Sequence, residues 1–137
     1  MGRPMNRTGS CLCGAVTVNA ETLPTMQACH CGMCRKWGGG GPFMSVPCNG
    51  AEFTGPITRY ASSEGVERGF CSRCGSCLFF HPAGGPIHAI PISLFDDPSD
   101  LPFRVEIHIE DQPDYYAFAN ETRRMTGAEF AAKVRGG

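Results

Sequence analysis

Seven of the nine cysteines fall into three tight clusters: Cys11-Leu12-Cys13, Cys29-His30-Cys31-Gly32-Met33-Cys34 and Cys71-Ser72-Arg73-Cys74. Thiols this close in sequence, with a glycine beside or within every cluster, constrain the fold more than any other feature of the chain. Sulfurs bonded to one zinc ion at about 2.3 Å must lie within about 4 Å of one another, which a short turn achieves and an extended strand does not. The clusters therefore predict tight knuckles closed around metal. The count divides unevenly. A pair plus a pair supplies the four ligands of a structural site, whereas the triple cluster offers three thiolates and leaves one coordination position open, the arrangement of a reactive metal.

Disulfides are the competing reading. An odd number of cysteines cannot pair fully within one chain, and the N-terminus shows no charged start, apolar run and small-residue cleavage site. The expected compartment is the reducing cytoplasm, where clustered cysteines bind metal more often than they pair. A thiol-redox role for Cys31/Cys34 and Cys71/Cys74 ranks lower, because neither pair opens a helix inside a βαβ pattern.

The 137 residues suit one domain of ordinary size, 1–137. A net charge of −1 and a pI near 6.4 provide no basic field, which disfavours nucleic acid as a partner. Eighteen glycines and eleven prolines interrupt helices, so short strands joined by turns are expected: a mainly β, antiparallel domain with knuckles at strand ends. The stretch between Arg73 and Asp96 carries no formal charge, but Pro82, Gly84-Gly85, Pro86 and Pro91 break it. It reads as buried sheet, and no membrane partner is expected.

Ala15 to Ala20, Phe43 to Val46, Ile57 to Tyr60, Val66 to Cys71, Cys77 to Phe80 and Ile87 to Ile92 are strand candidates, the last pushed towards an edge or bulge by Pro91. The cleanest period-two signal runs from Phe103 to Glu110. It places Phe103, Val105, Ile107 and Ile109 in the core and Arg104, Glu106, His108 and Glu110 in water. Tyr115 to Phe118 is its expected partner, and Met1 to Arg7 reads as a frayed tail. A short C-terminal helix over Ala128 to Val134 is signalled by the Thr126/Glu129 capping box, with Gly136 after its end. A further helical turn is expected after Cys34.

Arg35, Lys36 and Trp37 follow the triple cluster, and Gly38 to Gly41 follow them. Two cations beside three thiolates offset the negative charge of such a site and are candidates to hold the carboxylates of an anionic ligand. The glycine run permits close approach to the backbone, but it lacks the Lys-Ser/Thr that ends a phosphate loop. An open position on a thiolate-rich metal favours thiol chemistry over hydrolysis, because three anionic ligands blunt the acidification of bound water while a bound thiol becomes thiolate.

Three strings extend the argument: Gly9-Ser10-Cys11-Leu12-Cys13-Gly14-Ala15-Val16, the block from Cys29 to Gly38, and Phe70-Cys71-Ser72-Arg73-Cys74-Gly75-Ser76-Cys77-Leu78, followed by Asp96-Asp97-Pro98 and Ile107-His108-Ile109. Together they resemble the glutathione-dependent formaldehyde-activating enzyme family, which also includes centromere protein V. The likeness runs from about Gly9 to Phe118. It implies a β-tent fold with two zinc ions. By likeness Cys11, Cys13, Cys71 and Cys74 would hold the structural zinc, and Cys29, Cys31 and Cys34 the substrate-facing one. It also implies glutathione and a small aldehyde as partners and S-(hydroxymethyl)glutathione as the adduct formed or cleaved. The chain departs from the pattern in two places. Ile92-Ser93-Leu94-Phe95-Asp96-Asp97-Pro98 stands for a common Gly-Thr-Leu-Asp-Asp-Pro, and Tyr115-Tyr116 for a common Trp-Tyr.

Other residues have plainer expectations. Cys48 and Cys77 read as free buried cysteines. His30 must point away from its flanking ligands, towards solvent or a backbone partner. His108 reads as an exposed strand residue, His81 and His88 as hydrogen-bonded core or rim groups, Trp37 as a packing anchor and Asp96-Asp97 as a turn. The sequence thus favours a zinc-dependent carbon–sulfur lyase acting on a thiol–aldehyde adduct. The alternative is a zinc-stapled binding module without turnover. A nucleic-acid-binding ribbon ranks last, because 36 residues separate Cys34 from Cys71 where such modules have about 15–20.

Overall fold

Gly14 and Gly75 adopt left-handed backbone with φ of 81° and 77°, a conformation that costs other residues energy, and each closes a turn directly after its cysteine pair. The Gly14 amide donates to the Cys11 carbonyl (3.1 Å) and the Gly75 amide to the Cys71 carbonyl (2.9 Å). These two knuckles begin or interrupt strands in a mainly β structure. The structure, a computed structural model, describes residues 3–136. It divides into two units that are each discontinuous in sequence: residues 3–24 with 45–101, and residues 25–44 with 102–136.

The first unit is antiparallel throughout. Strand β1 (Met5–Ser10) pairs with β2 (Thr17–Thr22), and β2 pairs in turn with β4 (Phe43–Thr54). β4 pairs with β8 (Ile87–Pro91), which continues to β7 (Cys77–Pro82), β6 (Val66–Cys71) and β5 (Ile57–Ser63). Val16, Val18, Val46, Leu78, Phe79 and Ile90 form its core, each at most 4 % exposed. Gly69 is required beside Phe79, since a Cβ there would meet the ring at 2.3 Å. A short 3₁₀ turn (Ile92–Leu94) follows β8. Asp97 then accepts from the Ser99 amide and hydroxyl, the turn expected before Pro98.

The second unit is built on parallel pairing. β9 (Phe103–Ile107) lies between β3 (Met26–Cys29) and β10 (Arg123–Met125), parallel to both. Helix α1 (Gly32–Gly38) starts on Cys31, whose Sγ accepts from the Cys34 amide, and ends on left-handed Gly39. Helix α2 (Gly127–Gly136) carries the expected capping box: the Thr126 amide donates to Glu129 Oε1 (2.9 Å) and the Glu129 amide to Thr126 Oγ1 (3.1 Å). Among the described residues no helix is long and apolar enough to cross a membrane.

Several expectations need correction. The segment expected to fray, Met1 to Arg7, supplies the first three residues of β1, held where Arg7 donates to Thr22 (2.9 Å) and to both carboxylate oxygens of Asp100 (2.8 Å); Met1 and Gly2 lie outside the described residues. Tyr115 to Phe118 forms no strand, and β9 takes β3 and β10 as neighbours instead. β9 also stops at Ile107, because His108 turns to φ 56°, the single left-handed non-glycine residue described, and a 3₁₀ turn (Ile109–Asp111) follows. Most consequential is Glu106. Alternation placed it in water, yet it is 1 % exposed, because the side chains of His30, Thr122 and Arg124 bond to it, while Arg104 on the same face is exposed as expected.

Candidate metal centres

The first thiol set stands on two knuckles of one unit. Cys11 and Cys13 bracket the turn after β1, and Cys71 and Cys74 the turn after β6. Their four Sγ atoms lie within 4.8 Å of one another. Cys11 and Cys13 are 3.7 Å apart and Cys13 and Cys71 3.8 Å, close to the edge of about 3.75 Å expected for a tetrahedron of 2.3 Å metal–sulfur bonds. Backbone amides point at these sulfurs: Val16 N–H at Cys11 (3.3 Å), and Arg73 and Cys74 N–H at Cys71 (3.4 and 3.5 Å). The Ser76 hydroxyl, 3.1 Å from Cys74 Sγ, is the main reason that thiol is pulled down to about 5, with backbone amides adding to it. Such donors favour thiolate, the form that ligates. Leu12, between the first two ligands, is 88 % exposed.

The second set is Cys29, Cys31 and Cys34, at the end of β3 and the start of α1, again with sulfurs within 4.8 Å of one another. Among the described residues no fourth His, Cys, Asp or Glu ligand atom shares that space. The three thiols cannot all ionise alone. Hydrogen bonds from Cys29 and then Cys34 pull Cys31 far down, while the same contacts and burial push Cys29 far up. A cation among them would relieve the repulsion, so the donor chemistry of both sets fits a soft or borderline metal ion.

Behind this cluster sits a buried polar network. His30, wholly buried, has each of its polar atoms engaged. Its amide donates to the Ile107 carbonyl (3.1 Å) and its carbonyl accepts from Arg35 Nε (2.9 Å). Its Nδ1 bonds the Tyr116 hydroxyl (2.7 Å) and its Nε2 the Glu106 carboxylate (2.8 Å). Glu106 also accepts from Thr122 (2.6 Å) and Arg124 (2.5 Å). Burial would raise the Glu106 carboxyl, but bonds from Thr122, His30 and Arg124 outweigh it and hold the carboxyl below its ordinary value. His30 therefore points away from its flanking cysteines as expected, but to buried side chains rather than to solvent or backbone. The only sequence signal for this was a lone histidine between two ligands.

Arg35 and Lys36 line a cavity of about 470 Å³ together with Gly32, Gly39 and Gly40. The Tyr115 hydroxyl donates to the Gly40 carbonyl and ties down that glycine run. Trp37 packs on Phe43 with ring centres 5.5 Å apart. The remaining candidates lie outside both thiol sets. Cys48 is fully buried, its thiol pushed up to about 12 by that burial, and Cys77 is half-buried. His81 and His88 stack at 3.8 Å, and His81 Nδ1 bonds the Ile87 carbonyl (2.9 Å). His108 is half-buried, its Nδ1 3.9 Å from a Glu110 carboxylate oxygen.

Comparisons with known proteins give the chain's relatives. Residues 6–111 match the family model described as glutathione-dependent formaldehyde-activating enzyme. An uncharacterized lyase of Schizosaccharomyces pombe is 36% identical over 131 residues, covering 92% of this chain and 95% of its own. A Halomonas elongata protein named "Putative glutathione-dependent formaldehyde-activating enzyme" is 33% identical over 124 residues, covering 78% of this chain and 77% of its own. A crystal structure of a Rhodobacter sphaeroides protein shares the fold, with a TM-score of 0.57 at 21% identity over 70% of this chain and 98% of that one. By its matched residues and its relatives, the chain belongs to the glutathione-dependent formaldehyde-activating enzyme family.

Proposed function

We propose that the chain is a zinc-dependent carbon–sulfur lyase that forms or cleaves the adduct of a small thiol and a small aldehyde, S-(hydroxymethyl)glutathione being the specific case. One observation carries the reading: one thiol set has four sulfurs and the other three, with no fourth ligand atom among the described residues. Cys11, Cys13, Cys71 and Cys74 would hold a structural zinc, and Cys29, Cys31 and Cys34 a second with a free position. A zinc ion held there would lower the pKa of a thiol bound at its free position and keep it as thiolate at neutral pH.

The chain's own residues supply the rest. Arg35 and Lys36, lining the cavity beside the second set, are candidates to grip the carboxylates of a glutathione-like thiol. Gly39 and Gly40, with no side chains, leave the cavity wall open to a ligand backbone. In adduct formation the sulfur attacks the aldehyde carbon, the carbonyl electron pair moves to oxygen, and the proton lost by the thiol ends there; nothing is oxidised or reduced. The names of the two relatives, one a lyase and one a formaldehyde-activating enzyme, support this substrate class.

The test is zinc stoichiometry with and without millimolar glutathione, paired with an assay for S-(hydroxymethyl)glutathione. Two zinc ions per chain, thiol binding that depends on the second, and faster adduct formation than in buffer are expected. Two zinc ions with no thiol binding would instead mark a zinc-stapled module without turnover.

A further inference from the structure

Leu12, between the prospective ligands Cys11 and Cys13, is 88 % exposed. His30 stands in the same place between Cys29 and Cys31 and is wholly buried. A metal held by four ligands is fixed by those ligands. One held by three needs the protein behind them to set their angles, since the missing ligand contributes nothing to rigidity.

We infer that Glu106 is a positioning residue for the second metal, acting through His30 to preset Cys29 and Cys31; this rests on the zinc reading above. Glu106 reaches His30 across 76 positions of sequence. It is itself held by Thr122 and Arg124 on the chain that forms β10. Arg124 extends the brace, donating to Gln112 Oε1 (2.7 Å), while Gln112 donates to the Tyr116 carbonyl (3.0 Å). Tyr116 closes the loop on His30 Nδ1. The imidazole cannot rotate without breaking a buried charge-assisted bond, and the cysteines on both sides inherit that constraint. None of these side chains belongs to either thiol set.

Zinc release to a chromophoric chelator separates the possibilities. Wild-type protein should release two ions in two phases. In Glu106→Gln one phase should quicken by about 10–100-fold while the other stays within about twofold. Tyr116→Phe should move the same phase by less. Arg124→Met, at a side chain 44% exposed, covers the case in which Glu106→Gln does not fold, and should also quicken that phase alone. If both phases stay unchanged, or both quicken together, Glu106 has no specific hold on the second site. If wild-type protein yields one zinc per chain, the underlying two-zinc reading fails instead.

Discussion

The two Cys-x-Cys turns solve the same local problem with opposite surroundings. Around Cys11 and Cys13 the turn is closed by Gly14, steadied by the Ser76 hydroxyl on the Leu12 amide (3.1 Å), and its middle side chain stands in water. Around Cys29 and Cys31 the middle side chain is wholly buried, with both ring nitrogens hydrogen-bonded to other side chains. Four sulfurs are enough to define a tetrahedron; three are not, and a buried carboxylate, a phenol and a guanidinium stand behind them. On the proposed zinc reading, a site that keeps a coordination position free would owe its rigidity to its scaffold rather than to its ligands.

The largest expected effect comes from removing a sulfur. Cys71→Ala should abolish the first site and with it on the order of 10 kcal/mol of metal-linked folding energy, seen as loss of a cooperative thermal transition. Cys34→Ala should fold, bind one zinc and lose adduct formation. If Cys34→Ala unfolds as readily as Cys71→Ala, the division into structural and reactive sets breaks.

Next are the two middle residues. His30→Ala takes one of three side-chain partners from the buried Glu106 carboxylate and leaves a cavity the size of the ring, and should cost about 3–5 kcal/mol in denaturant unfolding. Leu12→Ser should stay within about 0.5 kcal/mol. Equal costs would erase the contrast between the turns.

The smallest effect is in pH. Glu106 has a folded pKa below its ordinary value of 4.5, so its contribution is present above that value. It is lost as pH falls through the lower, folded one. Acid unfolding of the zinc-loaded protein should therefore steepen below pH 4.5, and Glu106→Gln should flatten that part of the curve relative to wild type. An unchanged acid limb would mean that the carboxylate is not held ionised by its neighbours.

Much of the fold was legible. Val66 to Cys71 was expected as a strand and β6 spans Val66–Cys71; the Thr126/Glu129 cap begins α2 as expected. These succeed because their signals are local: a six-residue run between the glycine turns at Gly65 and Gly75, or a cap three residues from its partner. β1, β3 and β10 were missed. β1 has a polar sequence that alternates poorly, and it is ordered by pairing with β2 and by the Arg7–Asp100 contact, 93 positions apart. β3 and β10 are four and three residues long and exist through parallel pairing to β9. The clusters at the sites were legible in full, but the brace around His30 was not.

The amino-acid order alone determined how many sulfurs each site could muster, because ligands two or three residues apart meet in almost any turn. It also determined the charge beside the second set, through Arg35 and Lys36. Only the tertiary structure decided what stands behind the ligands. A period-two pattern says that Glu106 and Ile107 face opposite sides of a strand, but not whether water or protein covers each side. That depends on segments 16 to 76 positions away, whose meeting is governed by the packing of the unit and leaves no mark on neighbouring residues.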